Sequence, residues 1–125
     1  MNECFLDKII LEDAGMVGDS RLFRLGKEFR VKTSKGLFSA PKGFITDGAS
    51  SPRWSHSIVG PFGDAFGAAL VHDYLYSKDC PYNVTRKEAD DIFLELLKAS
   101  GVSFIKRQTI YLAVRSCGWM FWRKD

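Results

Sequence analysis

The chain has 125 residues, 46% of them hydrophobic and 26% charged, with a formal net charge of +3 at neutral pH. That is the balance of an ordinary soluble globular protein, long enough to close a core without metal or disulfide staples. No block of Lys or Arg exceeds two residues, which argues against a nucleic-acid stripe. No run reaches the roughly 18 apolar residues of a membrane span.

The first elements read as strands. From residue 4 to about 47 the segments are short and divided by glycine: "CFLDKIIL", "RLFRL", "EFRVKT", "GLFSA" and "GFITD". Their near-alternating polarity, with turn chemistry in "TSKG", predicts an antiparallel meander of three to five strands. Residues 46–63, "TDGASSPRWSHSIVGPFG", form a structured loop rich in Gly, Ser and Pro. The period then becomes helical. Asp64 is placed to cap a helix over about 64–77, and Thr85 and Glu88 of "TRKE" match a capping box for one over 85–100. Ser103 opens a third, to about 118. The expected fold is α+β, a single domain over 1–125 with a small N-terminal antiparallel sheet followed by three helices. The connection "KDCPYNV" is short, so the first two helices should pack antiparallel.

Three cysteines, Cys4, Cys80 and Cys117, lie far apart with no CxxC spacing. This predicts free thiols in a reducing compartment rather than a disulfide framework or structural zinc. "MNECFLDKII" has acids inside what would be a signal core, so no signal peptide is expected.

The chemistry concentrates in "LVHDYLY", residues 70–76, where His72 and Asp73 interrupt an apolar helix. His72 shares a helical face with Ala69 and Tyr76. In "KEADDIFLELLKAS" the apolar stripe runs through Ala89, Ile92, Phe93, Leu96 and Leu97. Asp90 borders that stripe, whereas Asp91 falls with Lys87 and Glu95 on the solvated side. An antiparallel pair would let Asp90 meet His72. A carboxylate on one imidazole nitrogen fixes the tautomer and leaves the other as a general base. Asp73 could hold a cation that stabilises an oxyanion. Metal-assisted hydrolysis by activated water fits this set, a Ser/His/Asp nucleophile competes with it, and a buried histidine satisfied by a carboxylate explains it without catalysis.

"FITDGASSP" supplies further candidates. Asp47 and Ser50 face the histidine as ligand, orienter or nucleophile, or they only fix an Asx or Ser turn. Arg86 either pairs with Asp47 or Asp73 or is a solvated first-turn side chain. His56 reads as exposed. "GWMFWRKD" gathers Trp119, Phe121 and Trp122 before two cations. Packing or assembly is favoured over a lipid interface, because no long amphipathic helix accompanies the cluster.

"HDYLY" followed by "AD" on the partner helix resembles the phospholipase A2 superfamily, above all the disulfide-free form in parvovirus capsid proteins. The resemblance implies His72 as general base, Asp90 as its partner, Tyr76 as a supporting hydroxyl and Asp73 as a calcium ligand. "VGPFG", beginning at Val59-Gly60, would stand where the calcium loop presents backbone carbonyls. Calcium is thus the implied metal, with zinc second, and a phospholipid ester the implied substrate. A second resemblance spans more of the chain. "GFITDGASSPRW", "GP", "HDYLY", "R-x-x-AD-x-x-F" and "AVRSCGW" occur in the order that is similar to domain-of-unknown-function family 1353, small proteins of tailed phages and prophages. It implies synthesis in host cytoplasm and a choice between a phage hydrolase and a non-catalytic tail or capsid component. The implied partners are other phage proteins, a second copy or a lipid surface, and no nucleic acid.

Overall fold

The computed structural model describes residues 4–17, 20–46, 66–78, 80–120 and 122. Its strands are β1 (Leu11–Val17), β2 (Ser20–Leu25), β3 (Phe29–Thr33), β4 (Gly36–Ala40) and β5 (Ile45–Thr46). Helices α1 (Phe66–Tyr76), α2 (Arg86–Ala99) and α3 (Phe104–Cys117) follow, and a 3-10 turn covers Gly118–Met120. The α+β reading stands, with the strands divided between two antiparallel sheets rather than joined in one meander. One sheet has the order β1-β2-β5, and β3 and β4 form the other. The division is set by β5, which pairs Ile45 with Arg24 and Thr46 with Phe23, and so returns past the β3–β4 hairpin to β2.

The hairpin shows how the pattern becomes structure. In β3, Phe29, Val31 and Thr33 are buried while Arg30 and Lys32 are exposed, the period-2 alternation of a half-buried strand. Thr33 pairs with Gly36 across a two-residue turn. Gly36 has φ +123°, a conformation that glycine alone adopts without strain. On the other edge of β3, the Leu6 N–H donates to the Arg30 carbonyl (3.0 Å) and the Lys32 N–H to that of Cys4 (2.7 Å). Asp7 fixes this segment by a two-oxygen grip on Arg30 at 2.8 and 3.0 Å. Those hydrogen bonds from Arg30 hold the Asp7 carboxyl at about 2.

Helix α1 is buried on nearly every side, from Phe66 through Val71 and at Tyr74, Leu75 and Tyr76, so strands and helices cover it from several directions. It joins Leu25, Phe29, Val31 and Phe38 of the strands and Ile92, Phe93, Leu96 and Leu97 of α2 in one hydrophobic cluster. Helix α2 starts as its sequence predicts. The Glu88 N–H donates to the Thr85 hydroxyl (3.1 Å), and the Thr85 N–H donates to the Glu88 carboxylate (2.9 Å). Ser103 caps α3. The predicted cap Asp64 lies outside the described residues. Along α1 and α2 the contacts run in opposite senses: Tyr76 meets Asp90, whereas His72, a turn earlier, also stacks on Phe93. The pair is antiparallel.

Candidate functional site

Asp90 is the centre of the site. Its carboxylate is wholly buried, although burying an isolated carboxylate costs many kcal/mol. The structure compensates with donors from three helices. His72 Nε2–H donates to Oδ1 at 2.8 Å and the Tyr76 hydroxyl donates to the same oxygen at 2.5 Å. Arg115 Nη1 of α3 donates to Oδ2 at 2.8 Å. Arg86 Nη1 lies 3.6 Å from Oδ2. Burial pushes the Asp90 carboxyl up, but the hydrogen bonds from His72, Tyr76 and Arg115 together outweigh it and hold the group below the usual carboxylate range. Burial and the adjacent Asp90 charge push the Tyr76 phenol up, so it stays a protonated donor.

The His72 ring is fixed by packing as well. Its centroid lies 4.3 Å from those of Tyr76 and of Phe93, the latter nearly parallel. Because Nε2 faces an ionised carboxylate, it carries the proton, and in a neutral ring Nδ1 holds the lone pair. Among the described residues Nδ1 has no hydrogen-bond partner. The side chain keeps 12% of its exposure, so it is not sealed from solvent. This arrangement can accept a proton at Nδ1 while Asp90 remains charged.

The predicted residues fall into three groups. His72, Tyr76 and Asp90 come together. Asp73 is half-buried and engaged in contacts of its own. Asp47, Ser50 and Gly60 lie outside the described residues, as do His56 and Phe121. Two expectations need correcting. Arg86 is not solvated and does not pair with Asp73, while its other expected partner, Asp47, lies outside the described residues. Its guanidinium donates to the carbonyls of Val114 (3.1 Å) and Arg115 (3.2 Å) at the end of α3, beside Asp90. Asp91 is not simply solvated either. It accepts from Lys87 Nζ (2.8 Å) and from the Tyr111 hydroxyl (2.6 Å), and so ties α2 to α3.

Sequence reasoning missed Arg115 and Gly118, both within "AVRSCGW". A Cβ at Gly118 would stand 2.6 Å from the Tyr76 hydroxyl oxygen and 3.0 Å from Arg86 Nη1. Neither group has room to retreat, since one is bonded to Asp90 and the other to the end of α3. Gly118→Ala is therefore expected to destabilise the fold by about 1–3 kcal/mol. Denaturant melts check this, and unchanged stability would mean that the α3 terminus yields freely.

Among the described residues no three His, Cys, Asp or Glu side chains converge on a point. Calcium takes six to eight oxygens. Asp90 is consumed by its donors, so the described residues offer Asp73 alone and do not by themselves make a calcium site.

The fold and this centre define an α+β protein whose three helices meet on one buried, histidine-bonded carboxylate. The chain belongs to the family described as "Protein of unknown function (DUF1353)", whose model matches residues 23–114. No curated protein and no solved structure matches it. Among the described residues no helix is long and apolar enough to cross a membrane.

Proposed function

We propose that the protein is a phage-encoded hydrolase in which His72 takes a proton from water as that water attacks an ester or amide carbonyl. The observation that carries this reading is the 2.8 Å bond from His72 Nε2 to a fully buried carboxylate, which leaves Nδ1 as the basic nitrogen. The proton passes from water to Nδ1 while the oxygen bonds the carbonyl carbon. The imidazolium returns it to the leaving group as the tetrahedral intermediate collapses. Asp90 stays ionised throughout, held by Arg115 and Tyr76. By the resemblance to phospholipases A2, a phospholipid ester is the preferred substrate. The test is release of fatty acid or alcohol from a panel of mixed-chain phospholipids and simple esters, with calcium, zinc or magnesium and with chelator. Turnover supports the reading, and its absence under every condition overturns it.

A second reading is favoured by the reach of Asp90 across α1, α2 and α3. The same groups would then form a polar network that fixes the helices of a non-catalytic tail or capsid-associated protein, binding other phage proteins or a second copy. A silent substrate panel moves the weight here.

Calcium binding by Asp73, with Asp47 and a backbone oxygen at Gly60, is part of the first reading and is tested by stability. Calcium is expected to raise the melting temperature of the wild type and leave Asp73→Asn unchanged. In chelator the variant keeps the side chain's shape and an acceptor oxygen for its existing contacts, so it should melt close to wild type. A large loss of stability in chelator, with no calcium response in either protein, overturns the ligand role.

A further inference from the structure

A cavity of about 770 Å³ opens between the start of α2 and the turn that follows α3. That volume lies in the range of small-molecule sites. Its walls include Tyr82, Asn83, Thr85, Arg86, Trp119 and Trp122. Several of them are held rigid by the fold. Tyr82 packs edge-on against Phe38 at 5.0 Å, and its hydroxyl accepts from the Ser39 N–H at 2.9 Å. Trp122 packs edge-on against Tyr76 at 5.1 Å. Thr85 is the α2 cap, and Arg86 is spent on α3 carbonyls and Asp90.

Two groups in the wall are not spent. Trp119 is 66% exposed. The Asn83 side chain is exposed and has no hydrogen-bond partner among the described residues. An exposed indole and an amide with no partner among the described residues thus share one wall with a fixed aromatic floor, the mix of apolar surface and a few polar groups that small-molecule sites use.

The chemistry of the wall selects the occupant. Arg86 repels a cation, so an aromatic cage for quaternary ammonium does not fit. The same guanidinium is already satisfied, so it offers little to a free anion. Asn83 and Thr85 make the wall too polar for an acyl chain. A neutral ring with one apolar face and hydrogen-bonding edges fits: its face stacks on Trp119 and its hydroxyl or amide groups meet the Asn83 amide. We propose that this cavity is a subsite for a neutral saccharide. It stands whether or not His72 is catalytic.

The probes are N-acetylglucosamine tetramer, cellotetraose and maltotetraose, titrated against the full chain while tryptophan fluorescence and indole N–H resonances are followed. At least one is expected to bind, with about tenfold weaker binding in Trp119→Ala and a smaller loss in Asn83→Ala. Both residues are exposed, so both variants should melt as wild type does, and Leu112→Ala, exposed on α3 outside the cavity wall, should bind as wild type does. No response to any of the three at up to roughly 10 mM overturns the proposal. So does binding undiminished in Trp119→Ala. A response confined to nucleosides or to phosphatidylglycerol vesicles, run in parallel, would assign the cavity to another class and equally overturn it.

Discussion

Asp90→Asn is expected to lower the unfolding free energy by about 2–4 kcal/mol, somewhat less than breaking a wholly buried pair, because Arg115 and Arg86 keep part of their exposure. The substitution keeps the shape but removes the anion that Arg115 and Arg86 face at 2.8 and 3.6 Å. It also turns a pure acceptor into a group with two N–H donors pointed at donors. Asp91→Asn is the control. Asp91 is paired with the largely exposed Lys87 and bonded to Tyr111, so its loss should cost only about 1 kcal/mol. Urea titrations of the three proteins measure both values. Equal losses would mean that the buried network contributes no more than a surface pair.

The same carboxylate sets the acid limit of the fold. Its pKa in the folded chain is depressed, because the three donors together outweigh burial. A depressed carboxyl contributes stability that is fully present above its unfolded value of about 3.9. That contribution is lost as pH falls from there through the lower folded value. The wild type should therefore lose stability steeply below about pH 4, and Asp90→Asn should show a shallower decline over the same window. Part of the acid sensitivity persists in the variant, because Asp7, Glu88 and Asp91 are depressed as well. An identical acid slope in both proteins would remove Asp90 as the determinant.

The pairing of His72 with Asp90 was legible because both residues lie on helices whose signals are local. The capping box fixes where α2 begins, and the apolar stripe of α2 then decides that Asp90 rather than Asp91 turns inward. Arg115 was hidden for the opposite reason. Helix α3 buries Ile110 and Val114 while leaving Phe104, Ile105 and Leu112 exposed, so its apolar residues mark no single face and periodicity does not say which side meets α2. Arg86 had the same difficulty. A cation in a first turn reads as solvated, and its bonds to Val114 and Arg115 depend on a packing contact across 28 and 29 residues of chain. The division into two sheets was illegible because a strand as short as β5 carries no periodic signal, and its partner is set by tertiary closure.

His72→Gln is expected to reduce ester hydrolysis by about 10²–10⁴-fold, the usual contribution of a positioned general base. The side-chain amide of glutamine can still donate to Asp90, so the buried carboxylate keeps a partner and the melting temperature should change little. What is lost is the basic nitrogen. His72→Ala removes the ring as well, leaving a space beside Tyr76 and Phe93, which each packed 4.3 Å from its centroid. That variant should be less stable by about 2–4 kcal/mol. Its space matches free imidazole in size, so added imidazole should restore part of the turnover in His72→Ala and none in His72→Gln, where the site is filled. Rescue by a base of the right shape is a readout that a purely structural histidine would not give. If His72→Gln hydrolyses the same esters at the wild-type rate, the water is activated elsewhere and His72 serves only the helix junction. If both variants are inactive and imidazole rescues neither, while His72→Gln keeps its fold, proton transfer at Nδ1 is not what the ring supplies.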